Sequence, residues 1–106
     1  MEDLTDRAGA VRPFLGDTVM PARTVKIVNK LGIHARPAAE IVKTASRFGS
    51  NITITRDDLE VNGKSIMGVM MLAAEQGSTI DLKADGADAE AALDALAAVI
   101  ADGFGE

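Results

Sequence analysis

The chain has no cysteine, no tryptophan and no tyrosine, and His34 is its single histidine. Without thiols it can build neither a disulfide framework nor a thiolate metal site, and one imidazole is too few for a zinc centre. No metal and no cofactor is therefore expected. Phe14, Phe48 and Phe104 are the only aromatics, and none lies on a candidate strand where it would stack a base. Positive charge is short as well: 11 Lys and Arg stand against 16 Asp and Glu, a net charge of −5. An acidic chain is a poor match for a phosphate backbone, which argues against nucleic-acid binding. No apolar run approaches the roughly 20 residues of a membrane span, so no membrane insertion is expected. The opening Met1-Glu2-Asp3 has neither the basic nor the hydrophobic part of a secretory leader. With the lack of cysteine fitting a reducing compartment, these absences point to the cytoplasm.

What remains is an aliphatic domain. The 106 residues suffice for one domain, and the 47% that are apolar suffice for one core of Ile, Leu, Val, Ala and Met. Residues 1–22 follow neither period 2 nor period 3.6 and include Gly9, Pro13, Gly16 and Pro21. They are expected to be a flexible extension to a domain spanning residues 23–106. Regularity begins at "TVKIVN", where Val25 and Ile27 share one face of a strand. From Ala35 to Phe48 the spacing turns helical, with Ala38, Ile41, Val42, Ala45 and Phe48 inward. "NITITR" and "LEVNG", joined by Asp57-Asp58, read as a hairpin. Ser65 caps a short helix to about Ala74 with Ile66, Val69, Met70 and Ala73 on its apolar side, and Gly77 breaks it. "TIDLKA" is a fourth strand, and a helix from Asp88 to Ala101 buries Ala89, Leu93, Leu96 and Ile100. The order β-α-β-β-α-β-α predicts an α+β domain with helices covering one face of a mostly antiparallel sheet.

The chemistry gathers in "KLGIHARPAAE". A helix starting near Ala35 presents unpaired N–H groups and the positive end of its dipole beside His34, a setting that binds anions. Arg36 adds a planar fork that grips phosphate oxygens. A neutral imidazole is a competent nucleophile. The three together suit a histidine that accepts and releases a phosphoryl group. A lone histidine before a helix is more often a solvated cap, so this stretch alone does not decide.

A second stretch does. "LGIHARPAAEIVKTASRF" followed by "VNGKSIMGVMML" resembles the HPr family, the histidine-containing phosphocarrier proteins of the phosphoenolpyruvate-dependent phosphotransferase system, including the nitrogen-branch relative NPr. The resemblance runs from about Met20 to Glu106. It implies an HPr-like open-faced β-sandwich, a four-stranded antiparallel sheet with three helices on one face. It further implies a relay: enzyme I phosphorylates His34 on Nδ1, and IIA-type domains receive the group. Such a protein is a monomeric carrier and not a turnover enzyme. By the same resemblance Arg36 steadies the phosphoryl group, Pro37 sets the helix start, and Ser65 is the serine that an HPr kinase/phosphorylase modifies in many members. Ala35, Ala39, Ile66, Met67 and Met70 match the apolar docking patch, and Pro37 and Lys64 are expected with them among the partner-binding residues. Ile66 and Met70 fit core equally well by pattern, whereas Met67 points off the buried face. Lys43, Arg47 and Lys64 are expected as a basic rim around His34, although a charged helix face is usually just solvated. The competing reading is a purely regulatory binding module of the nitrogen branch, acting through the patch alone. Binding alone needs neither His34 nor Arg36. Family chains begin about where Met20 stands, so residues 1–22 depart from the pattern: either the extension has its own role or Met20 is the true start.

Overall fold

In the computed structural model, which describes residues 20–106, four strands form one antiparallel sheet. They are β1 (Ala22–Lys26), β2 (Asn51–Arg56), β3 (Leu59–Asn62) and β4 (Thr79–Asp85), in the order β1-β4-β2-β3. Their alternation decides which face is covered. In β4, Ile80, Leu82 and Ala84 are buried while Thr79, Asp81, Lys83 and Asp85 stay exposed. Register carries that pattern across the sheet: Val25 lies opposite Ile80 and Ile54 opposite Leu82. Helices α1 (Ala35–Ala45), α2 (Ile66–Met71) and α3 (Ala89–Ala101) cover the buried face. Between them Ile27, Ile41, Ile54, Leu82, Leu93 and Leu96 form an aliphatic core with no measurable exposure.

The element order agrees with the sequence reading, and the ends of elements differ. Helix α1 stops at Ala45 rather than Phe48, because the chain tightens into i+3 hydrogen bonds there (Arg47 N to Thr44 O and Phe48 N to Ala45 O, both 3.2 Å). Phe48 still packs half-buried on the core. Helix α2 ends at Met71, short of Ala74 and well before Gly77. Arg56 Nη1 takes the carbonyls of Leu72 and Ala73 at 2.9 and 2.7 Å, and Ala73 turns left-handed with φ of 49°. The inward residues at this end are Val69, Leu72 and Ala74; Ala73, Ile66 and Met70 are exposed, so they are not core.

At the start, Ala22 already pairs with Lys83, and the Pro21 carbonyl accepts from Ala84 N at 3.2 Å. The sheet therefore includes Ala22, the last residue of the expected extension, and bonds to the carbonyl of Pro21 before it. Residues 1–19 lie outside the described residues. Asp88 is the N-cap residue of α3, as the sequence reading expects, and its side chain reaches to the turn before β2. Its carboxylate accepts from Gly49 N at 2.9 Å, Ser50 N at 3.0 Å and the Ser50 hydroxyl.

Candidate functional site

A turn pressed against the far end of α2 delivers His34 to the mouth of α1. Ile33 N donates to the Ala74 carbonyl at 2.8 Å. At Gly32, φ is +69°, and a Cβ there would lie 2.5 Å from the Ala74 oxygen and 2.8 Å from Glu75 Cα. Only glycine tolerates both the conformation and the approach. His34 follows in extended conformation as the N-cap of α1, its carbonyl accepting from Ala38 N at 2.9 Å, and its side chain makes no cap hydrogen bond. Pro37 has no N–H to offer, so the first turn presents those of Ala35 and Arg36. The ring, 39% exposed, is left open for other chemistry.

Glu106 occupies one side of that ring, and nothing in the local sequence announces it. Gly103, Phe104 and Gly105 form a 3₁₀ turn with φ values of 65°, 60° and 73°. Phe104, unusual among non-glycine residues in being left-handed, is 6% exposed and anchored in the core. Its carbonyl accepts from Arg36 Nη2 at 2.8 Å. This turn brings Glu106 Oε2 to 2.8 Å from His34 Nε2 and 2.9 Å from Arg36 Nη2, while Oε1 accepts from Asn29 Nδ2 at 3.0 Å. These contacts hold the Glu106 carboxyl below the usual carboxylate range, the Asn29 amide foremost, then Arg36 and His34, with partial burial opposing them.

An ionised carboxylate only accepts hydrogen bonds, so Nε2 must carry the proton that faces Glu106. In the neutral imidazole the lone pair then sits on Nδ1. With Nε2 committed to Glu106, Nδ1 is left free on a ring that stands at the N-terminus of α1.

The other expected residues divide. Ala35 and Ala39 are exposed on α1, and Ile66, Met67 and Met70 are exposed on α2, Met67 at 75%. Helices α1 and α2 pack against each other, so these residues lie on adjoining helices. Pro37 is fully buried, and its expected place in a docking surface is corrected: it packs inside the first turn. The basic rim also differs. Lys64 Nζ donates to the Phe48 carbonyl at 2.7 Å, and Arg47 lies over the Phe48 ring. Lys43, Arg47 and Lys64 thus gather at the far end of α1, Lys43 roughly 13 Å along the axis from His34. Ser65 caps α2, its Oγ accepting from Gly68 N at 3.1 Å. Reasoning from sequence misses Glu106, Asn29 and Phe104, and also Leu31, which is 73% exposed in the turn before His34. The Gly-Phe-Gly run is the one available signal for the Glu106 turn. Among the described residues no helix is long and apolar enough to cross a membrane, and no cluster of His, Asp and Glu is suited to a metal.

The chain is similar to known proteins over most of its length. Residues 21–102 match the family model described as the PTS HPr component phosphorylation site. The phosphocarrier protein HPr of Cupriavidus necator is 51% identical over 87 residues, which cover 82% of this chain and 98% of that one. The crystal structure of HPr from Thermoanaerobacter tengcongensis superposes with a TM-score of 0.79 at 49% identity, covering 82% of this chain and 98% of that one. An HPr dimer from the same organism superposes with a TM-score of 0.66 at 50% identity, over 77% of this chain and 94% of that one. A family model matched over most of the chain, a shared four-stranded sheet with its three helices, and half of the residues identical over the covered span lead to one conclusion: the chain belongs to the HPr family of phosphotransferase-system phosphocarrier proteins.

Proposed function

We propose that His34 accepts a phosphoryl group from phospho-enzyme I on Nδ1 and passes it to IIA-type domains, the protein acting as a monomeric cytoplasmic carrier and not as a turnover enzyme. The observation that carries this reading is the Glu106 carboxylate on Nε2. It orients the ring and leaves the Nδ1 lone pair unprotonated. That lone pair forms the N–P bond as the bond from phosphorus to the donor breaks, and the departing electron pair stays with the donor. In such a loose transition state the protein has little covalent work, and positioning and charge dominate. The Ala35 and Arg36 N–H groups and the Arg36 guanidinium supply the positive field for the transferred oxygens. Onward transfer is the same step in reverse with a new acceptor.

Docking falls to the exposed apolar side chains beside the site: Ala35 and Ala39 of α1, Ile66, Met67 and Met70 of α2, with Leu31 and Met71 extending the surface. Large exposed apolar groups gathered around a reactive residue mark an interaction surface. Ser65, at the edge of that surface, is assigned as a regulatory phosphosite for a serine kinase.

The test is incubation with phosphoenolpyruvate and enzyme I followed by intact mass. The parent should gain one phosphate, lost in acid and retained in base as a phosphoramidate is. His34→Ala should fold and gain none. An acid-stable adduct, or phosphate on His34→Ala, overturns the assignment. A parent that gains no phosphate leaves the purely regulatory module as the reading to keep.

A further inference from the structure

Asn29 is 5% exposed, in the turn between β1 and His34. Its amide nitrogen donates to the Gly32 carbonyl at 2.7 Å and to Glu106 Oε1 at 3.0 Å. Both partners can only accept, so the NH₂ group must face them and Oδ1 must point away. Oδ1 is buried there with no hydrogen-bond partner among the described residues. An unpaired buried acceptor costs stability that an apolar side chain would not lose. Core stability therefore does not account for the asparagine. What the amide supplies is two donors on one nitrogen: one for the backbone two residues before His34, the other for the carboxylate that holds the His34 ring. Aspartate has no donor to give, and serine has one.

We infer that Asn29 is a positioning residue for phosphoryl transfer: it holds Glu106 in the pose that keeps the His34 proton on Nε2 and Nδ1 open to phosphorus. The inference rests on the reading of His34 as phosphoryl acceptor. Asn29 acts through Glu106 and not on phosphorus.

The experiment is a double-mutant cycle of Asn29→Ala and Glu106→Ala, with initial rates of phosphate acceptance from phospho-enzyme I measured at equal folded concentration. Asn29→Ala alone should slow acceptance roughly fivefold, about what one hydrogen bond supplies. In the Glu106→Ala background it should change the rate by less than about twofold. Equal slowing in both backgrounds, or no slowing in the parent background, overturns the inference. A second readout needs no phosphate: nitrogen NMR of the His34 ring in the unphosphorylated proteins. The parent should show the proton on Nε2, and Asn29→Ala a mixed tautomer population. An unchanged ring spectrum overturns the role of Asn29 whether or not the parent accepts phosphate, whereas failure of the acceptor reading appears separately as an unphosphorylated parent. If Asn29→Ala does not fold, Asn29→Asp keeps the shape and sets an acceptor against Glu106. It should release the ring in the same spectrum, and a parent-like ring there overturns the inference.

Discussion

One oxygen of Glu106 serves both His34 and Arg36, which ties the guanidinium and the ring to the same anchor. Arg36 Nη2 bridges the Phe104 carbonyl and Glu106 Oε2 while the rest of its planar fork stays half exposed. A lysine ammonium can match the charge but not the fork. Exposed ion pairs contribute about 1 kcal/mol or less, so Arg36→Lys should melt within a few degrees of the parent. Its transfer should nevertheless slow roughly tenfold or more, since a positioned donor on a developing oxyanion is worth at least that. Equal rates for the two proteins would show that Arg36 does not act on the phosphoryl group. The placement of His34 and Arg36 at the mouth of α1 is legible in the sequence, because the helix start puts them two places apart. That of Glu106 is not, since its bond to His34 spans 72 positions and depends on a left-handed phenylalanine. Pro37 shows the converse. Its place at the helix start was readable, yet its burial follows from packing that the local sequence does not display.

At the scale of elements, alternation located every strand, because a half-buried antiparallel sheet imposes period 2 on the residues that face its core. Helix α2 misled for a physical reason. Ile66, Met70 and Ala73 fall at helical spacing and fit core as well as surface, but they are exposed. An apolar docking stripe and an apolar core stripe have the same period. Ser65 separates cap from regulator on this helix. Ser65→Ala loses the bond to Gly68 N and should cost about 1 kcal/mol while transferring at the parent rate. Ser65→Asp caps equally well and suits the helix dipole, so its stability should hold. Its charge sits beside Ile66 and Met67, where docking would desolvate it, and its acceptance of phosphate should be markedly slower. A parent-like rate for Ser65→Asp would leave Ser65 as a cap only. Asp88 ties α3 to the turn before β2, and its carboxyl is held below its ordinary value, first by the Ser50 hydroxyl and then by Gly49 N. A depressed carboxyl stabilises the fold above its unfolded-state value near 4 and loses that contribution as pH falls through the lower folded-state value. Asp88→Asn should therefore be less stable than the parent at neutral pH, and the gap should close in acid. Parallel denaturation midpoints from pH 7 down to pH 2 would show that Asp88 contributes no linked stability.

The molecule as a whole carries a net charge of −5, yet its charges are unevenly placed. Along α3 and its flanks stand Asp88, Glu90, Asp94 and Asp102, with Arg23 bridging Glu90 and Asp94 at 2.7 and 3.0 Å. On and beside α1 stand Lys30, Arg36, Lys43, Arg47 and Lys64 against Glu40 and Glu106. Helix α1 and its surroundings thus carry more basic than acidic groups, in a protein that is acidic as a whole. Lys43 and Arg47 are too far along α1 to touch a group on His34, but they are exposed and lie within about one or two Debye lengths at 0.1 M salt. Their expected effect is on encounter with an acidic partner surface, not on chemistry. Reversing both, as Lys43→Glu with Arg47→Glu, should lower kcat/KM for acceptance from phospho-enzyme I by roughly tenfold at low ionic strength. The difference should shrink towards parity near 1 M salt, where screening cuts the Debye length to about 3 Å. The single-turnover rate at saturating partner should stay at the parent value, because His34, Arg36 and Glu106 are untouched. Slowing that persists undiminished at high salt would mean that the two side chains make direct contacts in the complex, and that they do not steer.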